Sequence, residues 1–227
     1  MRRSLLLPVP VLVLSVLVLS AVLSSSSARA VEPLVLSEDE FKMAQHYRLA
    51  LADERVQAMK PEQRLAAIAK DAGYKPKDLQ KAIDKAEAAG DVKARCEGNL
   101  KELFGAGLLA GKVGRLELDT SAAQAVAYVQ WFNEEQRDLP VEASFAAARA
   151  ADACPIASTI TVWAQDKATP GVRVFQALIS STGAHRINID KVKDFAATRY
   201  MKLFEKVKSA ANGDDLSGES GTPSAKP

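Results

Sequence analysis

The sequence predicts an α+β fold: a small helical N-terminal unit followed by a four-stranded, mainly antiparallel sheet with two helices on one face. Three observations carry this. Apolar residues recur every three or four positions up to about residue 104. After the glycine-rich stretch 105–114 the period falls to two. From there the elements run strand, strand, helix, strand, strand, helix.

The first thirty residues stand apart. Arg2 and Arg3 precede a stretch, Leu5 to Leu23, that carries no charge, and a serine run leads into Ala28-Arg29-Ala30. That is the order of a secretory signal, with cleavage expected after Ala30. The apolar stretch also approaches the ~20 residues that span a bilayer, so a retained anchor is the alternative. Both place the remainder outside the cytoplasm, and membrane contact is expected only through this segment.

The helical unit, 31–110, opens with a short extended lead-in. Ser37 and Glu40 form a capping box, and Phe41, Ala44, Tyr47 and Leu51 follow at helical spacing to about Met59. Pro61 starts a second helix, which stops at Gly73. Pro76 starts a third, with Leu79, Ala82, Ile83 and Ala86 inward, ending at Gly90. A fourth follows Asp91 and carries Cys96, Leu100, Leu103 and Phe104.

The α+β domain, 111–208, begins with Arg115–Asp119, where Leu116 and Leu118 alternate with Glu117. Ala125–Phe132 is rich in Val and aromatics. The alanine-rich stretch 140–153 reads as a helix closed by Cys154-Pro155. Ser158–Ala164 sets Thr159, Thr161 and Trp163 against Ile160, Val162 and Ala164. A loop over 166–171 turns it back into Val172–Ile179. A last helix is expected over 190–208, with Val192, Phe195, Ala196, Tyr200, Leu203 and Val207 inward. Residues 209–227, mostly polar and small, are expected to be disordered.

Charge excludes some functions. The chain holds 30 basic and 28 acidic residues, net +2. Three arginines lie in the leader and no acids do, so the remainder carries 27 against 28, or −1. Such a balance offers no electrostatic case for nucleic acid. The stretch Leu65-Ala-Ala-Ile-Ala-Lys-Asp-Ala-Gly-Tyr-Lys-Pro-Lys-Asp-Leu79 nevertheless resembles the helix-turn-helix DNA-binding motif, with Ala69, Gly73 and Leu79 at its spacing. The resemblance implies two helices crossing steeply over a tight turn. Asp78 and Asp84 offset Lys75, Lys77 and Lys81, and export removes access to DNA. A structural hairpin is the expectation.

Cys96 and Cys154 are the two cysteines. In an oxidising compartment an even pair predicts a disulfide, the alternative being two separate buried thiols. They lack further ligands for a metal, and no cofactor is expected. Neither His46 nor His185 has a partner histidine at i+4. His185 lies near Ser180 and Ser181, the one place a hydrolase site is conceivable, though no G-x-S-x-G is present. Glu134-Glu135 and Asp214-Asp215 read as solvated charge.

Trp131 and Trp163 each fall in a strand. Together with Thr159 and Thr161 they form a possible interaction face; otherwise both tryptophans simply cover the sheet. The functional expectation is an exported, non-enzymatic envelope protein, periplasmic or secreted, that binds an envelope protein partner or serves a structural role. An envelope hydrolase at His185, or a membrane-anchored sensor if the leader is kept, are the alternatives.

Overall fold

The computed structural model describes residues 36–134, 138–192 and 197–216. Residues 1–35, which include the segment expected to direct export, together with Glu135, Phe195, Ala196 and the tail 217–227, lie outside the described residues.

Helix α1 (Glu38–Ala50) starts at the capping box: the Ser37 hydroxyl accepts from the Glu40 N–H, and the Glu40 carboxylate accepts from the Ser37 N–H, each at 3.2 Å. The helix ends at Leu51, earlier than Met59. Asp53 interrupts it by accepting from the Arg55 N–H and capping a separate short helix, α2 (Glu54–Gln57). Helices α3 (Pro61–Asp71) and α4 (Pro76–Ala89) both begin on proline. Between them Gly73 has φ +74°, a left-handed conformation that costs glycine nothing. There Tyr74 N–H reaches the Ala69 carbonyl at 2.7 Å and Gly73 N–H reaches Lys70, the paired bonds of a Schellman cap. The expected hairpin is formed, and Ile68, Ala69 and Leu79 make a small core between its helices.

Helix α5 (Val92–Phe104), capped by Asp91, leads to the sheet. Its strands are β1 (Val113–Asp119), β2 (Ala125–Asn133), β3 (Ala157–Asp166), β4 (Arg173–Ser180) and β5 (Lys206–Ser209), in that spatial order. The sheet therefore has five strands, and it is mixed. β2 and β3 run parallel because α6 (Leu139–Ala153) carries the chain back between them. The other neighbouring pairs are antiparallel.

The fifth strand replaces the end of the expected last helix. Residues 189–191 and 201–203 form 3₁₀ turns around a short helix, Ala197–Tyr200, and Phe204 turns extended with ψ 132°. Glu205 N–H then bonds the Leu178 carbonyl at 2.8 Å, and Lys206–Ser209 pairs with β4. Order continues past residue 209, where disorder was expected to begin. Ser209 N–H bonds the Asp214 carboxylate at 2.8 Å, and Leu216 is buried.

Alternation sorts the sheet residues onto two faces. Leu118, Ala127, Val129, Trp131, Ile160, Val162, Ala164, Ala177 and Ile179 are buried in one core with α6. Residues 142–148 of α6 are buried throughout, as a helix lying between a sheet and other helices must be. Helix α5 and the short α7 (Ser181–Ala184), which follows β4, both pack on α6. Phe41 of α1 and Val92, Leu100 and Phe104 of α5 belong to the same core.

The two edges are blunted. On β1 the register shifts at Gly114, where a Cβ would lie 2.8 Å from the Phe132 ring and 2.9 Å from the Gln130 amide. Farther along, Leu118 N–H donates to the Glu97 side chain of α5 at 3.2 Å. On β5 the edge is four residues long and carries Lys206 and Lys208. A bulge, a side-chain cap and edge lysines all oppose strand addition.

Candidate functional site

The face of the sheet away from α6 holds the predicted residues Thr159, Thr161 and Trp163. The pairing aligns Arg115, Gln130, Trp163, Gln176 and Lys208 in one row across the strands. The next row is Glu117, Tyr128, Thr161, Leu178 and Lys206, and Thr159 lies between Val126 and Ser180.

Trp163 is the centre of this face, yet only 5% exposed. The Tyr128 ring meets it edge-on, with centroids 6.1 Å apart. Arg115 from β1 and Arg173 from β4 place their guanidinium carbons 6.0 and 5.5 Å from the indole centroid. Guanidinium over an indole is a favourable cation–π arrangement. Arg115 is also held by the Glu117 carboxylate, and Arg173 donates to the Gln176 side chain. Gln130 donates to Gln165 at 3.0 Å. Burial, with Asp119 and Glu117 nearby, holds the Tyr128 phenol above its ordinary pKa, so it stays a neutral hydroxyl. The surface is thus two oriented guanidiniums on an aromatic support, edged by threonines and glutamines. It is rich in hydrogen-bond donors.

Trp131 does not belong to it. Its position in β2 is opposite Ala164, on the α6 side, and it is fully buried. Its indole N–H donates to Glu142 at 2.7 Å. The two tryptophans point to opposite faces, which corrects their grouping as one interaction face. The reason is register: Trp163 stands opposite Gln130, one residue before Trp131.

Glu142, in the first turn of α6, was not singled out from the sequence. It is 3% exposed and accepts from Trp131 Nε1 at 2.7 Å, Asn133 Nδ2 at 2.6 Å and Lys112 Nζ at 2.8 Å. The bond to Glu142 holds the Lys112 ammonium above the usual lysine pKa. The group lies where the parallel strands β2 and β3 end. Its one sequence signal is an acid at the start of an alanine-rich helix. With three donors already on the carboxylate, this is a structural clasp and not a free acid or base. Nearby, exposed Glu134 pairs with Lys167, which lowers the Glu134 pKa.

The structure brings Ser181, the first residue of α7, together with His185, which caps its end, with Ser181 Oγ 3.4 Å from His185 Nδ1. The same Nδ1 is 2.9 Å from the Ser181 carbonyl oxygen. A carbonyl only accepts, so Nδ1 carries its proton there and has no lone pair for the serine. Ser180 is occupied as the cap of α7, accepting from Gly183 N–H at 3.2 Å. His46 is 2.7 Å from the Tyr74 hydroxyl. Among the described residues, neither histidine pairs a ring lone pair with a free serine hydroxyl.

Cys96 of α5 and Cys154 at the end of α6 form a disulfide, with Cα atoms 5.1 Å apart and a sequence separation of 58. Asn99 donates to the Ala153 carbonyl beside it. Among the described residues no cluster of three metal-ligating side chains occurs, and no helix is long and apolar enough to cross a membrane. Comparison of the chain with protein-family models, curated proteins and solved structures finds no match.

Proposed function

We propose that this chain is an exported envelope protein that acts by binding a protein partner, without catalysis, through the open face of its sheet. The observation that carries the reading is the Arg115–Trp163–Arg173 stack, on the side of the sheet opposite α6. Arg, Trp and Tyr are the residue types that dominate interface energetics. Here they are oriented in advance by cross-strand packing, which reduces the ordering cost of binding. The Cys96–Cys154 disulfide fits an oxidising compartment, and the leader grammar fits export.

Pull-down from envelope extracts tests the reading. Arg173→Ala together with Arg115→Ala is expected to lose the partner while the fold is kept. Trp131→Ala, on the opposite face, acts only through stability. Retention of the same partner by a folded double-arginine variant refutes the assignment.

A further inference from the structure

A second surface lies in the helical part, away from the sheet face. Helices α1 and α4 pack side by side, bridged at one end by Lys85 and Glu40. Between them runs a half-open groove of about 540 Å³. Phe41, Ala44, Tyr47 and Leu51 line it from α1, and Ile83 and Ala86 from α4. Phe41 to Leu51 covers about 15 Å along the helix, and Ala44 and Ala86 keep the floor low between larger neighbours.

The rim is charged, and two of its four charged residues, Asp91 and Lys93, are committed. Asp91 caps α5 by accepting from the Ala94 N–H, and Lys93 lies 3.8 Å from Glu97. Arg48 on α1 and Glu87 on α4 also line the groove. Both are exposed, and among the described residues neither side chain has a hydrogen bond or ion pair.

We infer that this groove receives an amphipathic helix from a partner protein. An apolar floor three turns long suits a helix inserting side chains at i, i+3 and i+7. Unpaired charges of opposite sign on the two walls suit an occupant carrying an acid toward Arg48 and a base toward Glu87. An acyl chain would satisfy at most one of them.

The test uses the full exported chain and helical peptides of about 15 residues. One peptide carries three leucines at i, i+3 and i+7, with Glu set toward Arg48 and Lys toward Glu87. A second has the two charges exchanged, and dodecanoate serves as the acyl probe. Binding is read by calorimetry. The first peptide is expected to saturate one site. Arg48→Glu with Glu87→Lys should weaken it about fivefold and strengthen the exchanged peptide by a similar factor. Ala86→Trp should abolish binding by filling the floor, and the charge variant, altered only at exposed positions, keeps the test valid if Ala86→Trp fails to fold. Trp163→Ala should leave peptide binding unchanged, which separates this surface from the sheet face. The inference is overturned if no peptide binds, if dodecanoate alone binds, or if peptide binding ignores both groove variants.

Discussion

Replacing Glu142 by alanine should be among the most damaging single changes in the described chain. Its carboxylate is 3% exposed and takes three hydrogen bonds. Truncation leaves the Trp131 indole N–H and the Asn133 amide facing a buried space. Each buried donor left unmet costs about 1–3 kcal/mol, so the two together cost about 2–6 kcal/mol. Lys112 adds little, because its side chain is 43% exposed and turns to water. Glu142→Gln separates charge from shape. An amide oxygen in the Oε2 position still accepts from Trp131 and Asn133, and its NH₂ then faces Lys112, which swings away. That variant should lose only charge assistance and the ion pair, about 1–3 kcal/mol. Urea unfolding followed by tryptophan fluorescence reads both. The predicted order is wild type, then Glu142→Gln, then Glu142→Ala. An alanine variant within about 0.5 kcal/mol of wild type, the range of ordinary surface changes, refutes the clasp.

The remaining predictions concern the staple, the first helix and export. Removing the disulfide with a Cys96→Ala, Cys154→Ala pair should cost about 4 kcal/mol on the chain-entropy model for a loop of this length, read as a lower urea midpoint; an unchanged midpoint contradicts it. Ser37→Ala should cost about 1 kcal/mol, measured the same way. The pKa of Glu40 is held below its ordinary value chiefly by Lys85, then by Ser37. The stability it contributes is therefore present above the unfolded pKa and is lost as pH falls through the folded one. Glu40→Gln should flatten that acid limb in a pH series, and an unaltered limb rules the linkage out. Alkaline phosphatase fused after residue 216, beyond β5 and the buried Leu216, should be active, as it is only outside the cytoplasm; inactivity with full-length fusion present counts against export.

Much of the helical part was legible because its signals are local. The Ser37–Glu40 box, Pro61, Pro76, Gly73 and Asp91 each fix a helix end through a single cap or ring. What failed was also local in form but decided at a distance. Val207 falls four residues after Leu203, so it suits a helix face. Lys206–Ser209 also alternates, and pairing with β4 favours the strand. Trp131 and Trp163 illustrate the same limit. Each lies in a strand read correctly from sequence, but the side each one faces depends on register across β2 and β3. Glu142 was invisible because its three partners come from Lys112, Trp131 and Asn133, joined only by the β2–α6 connection and the return of β1. The Thr159, Thr161 and Trp163 alternation was legible outright, since a single strand contains it.

The central claim, a partner surface on the open sheet face, is tested most directly by photo-crosslinking in the living envelope. A photoreactive residue at Thr161 lies on that face, and one at the exposed Lys81 of α4 serves as control. The account predicts a discrete crosslinked protein from position 161 that disappears when Arg115 and Arg173 are both alanine, and none from position 81. No crosslink from position 161, or the same product from both positions, would contradict it.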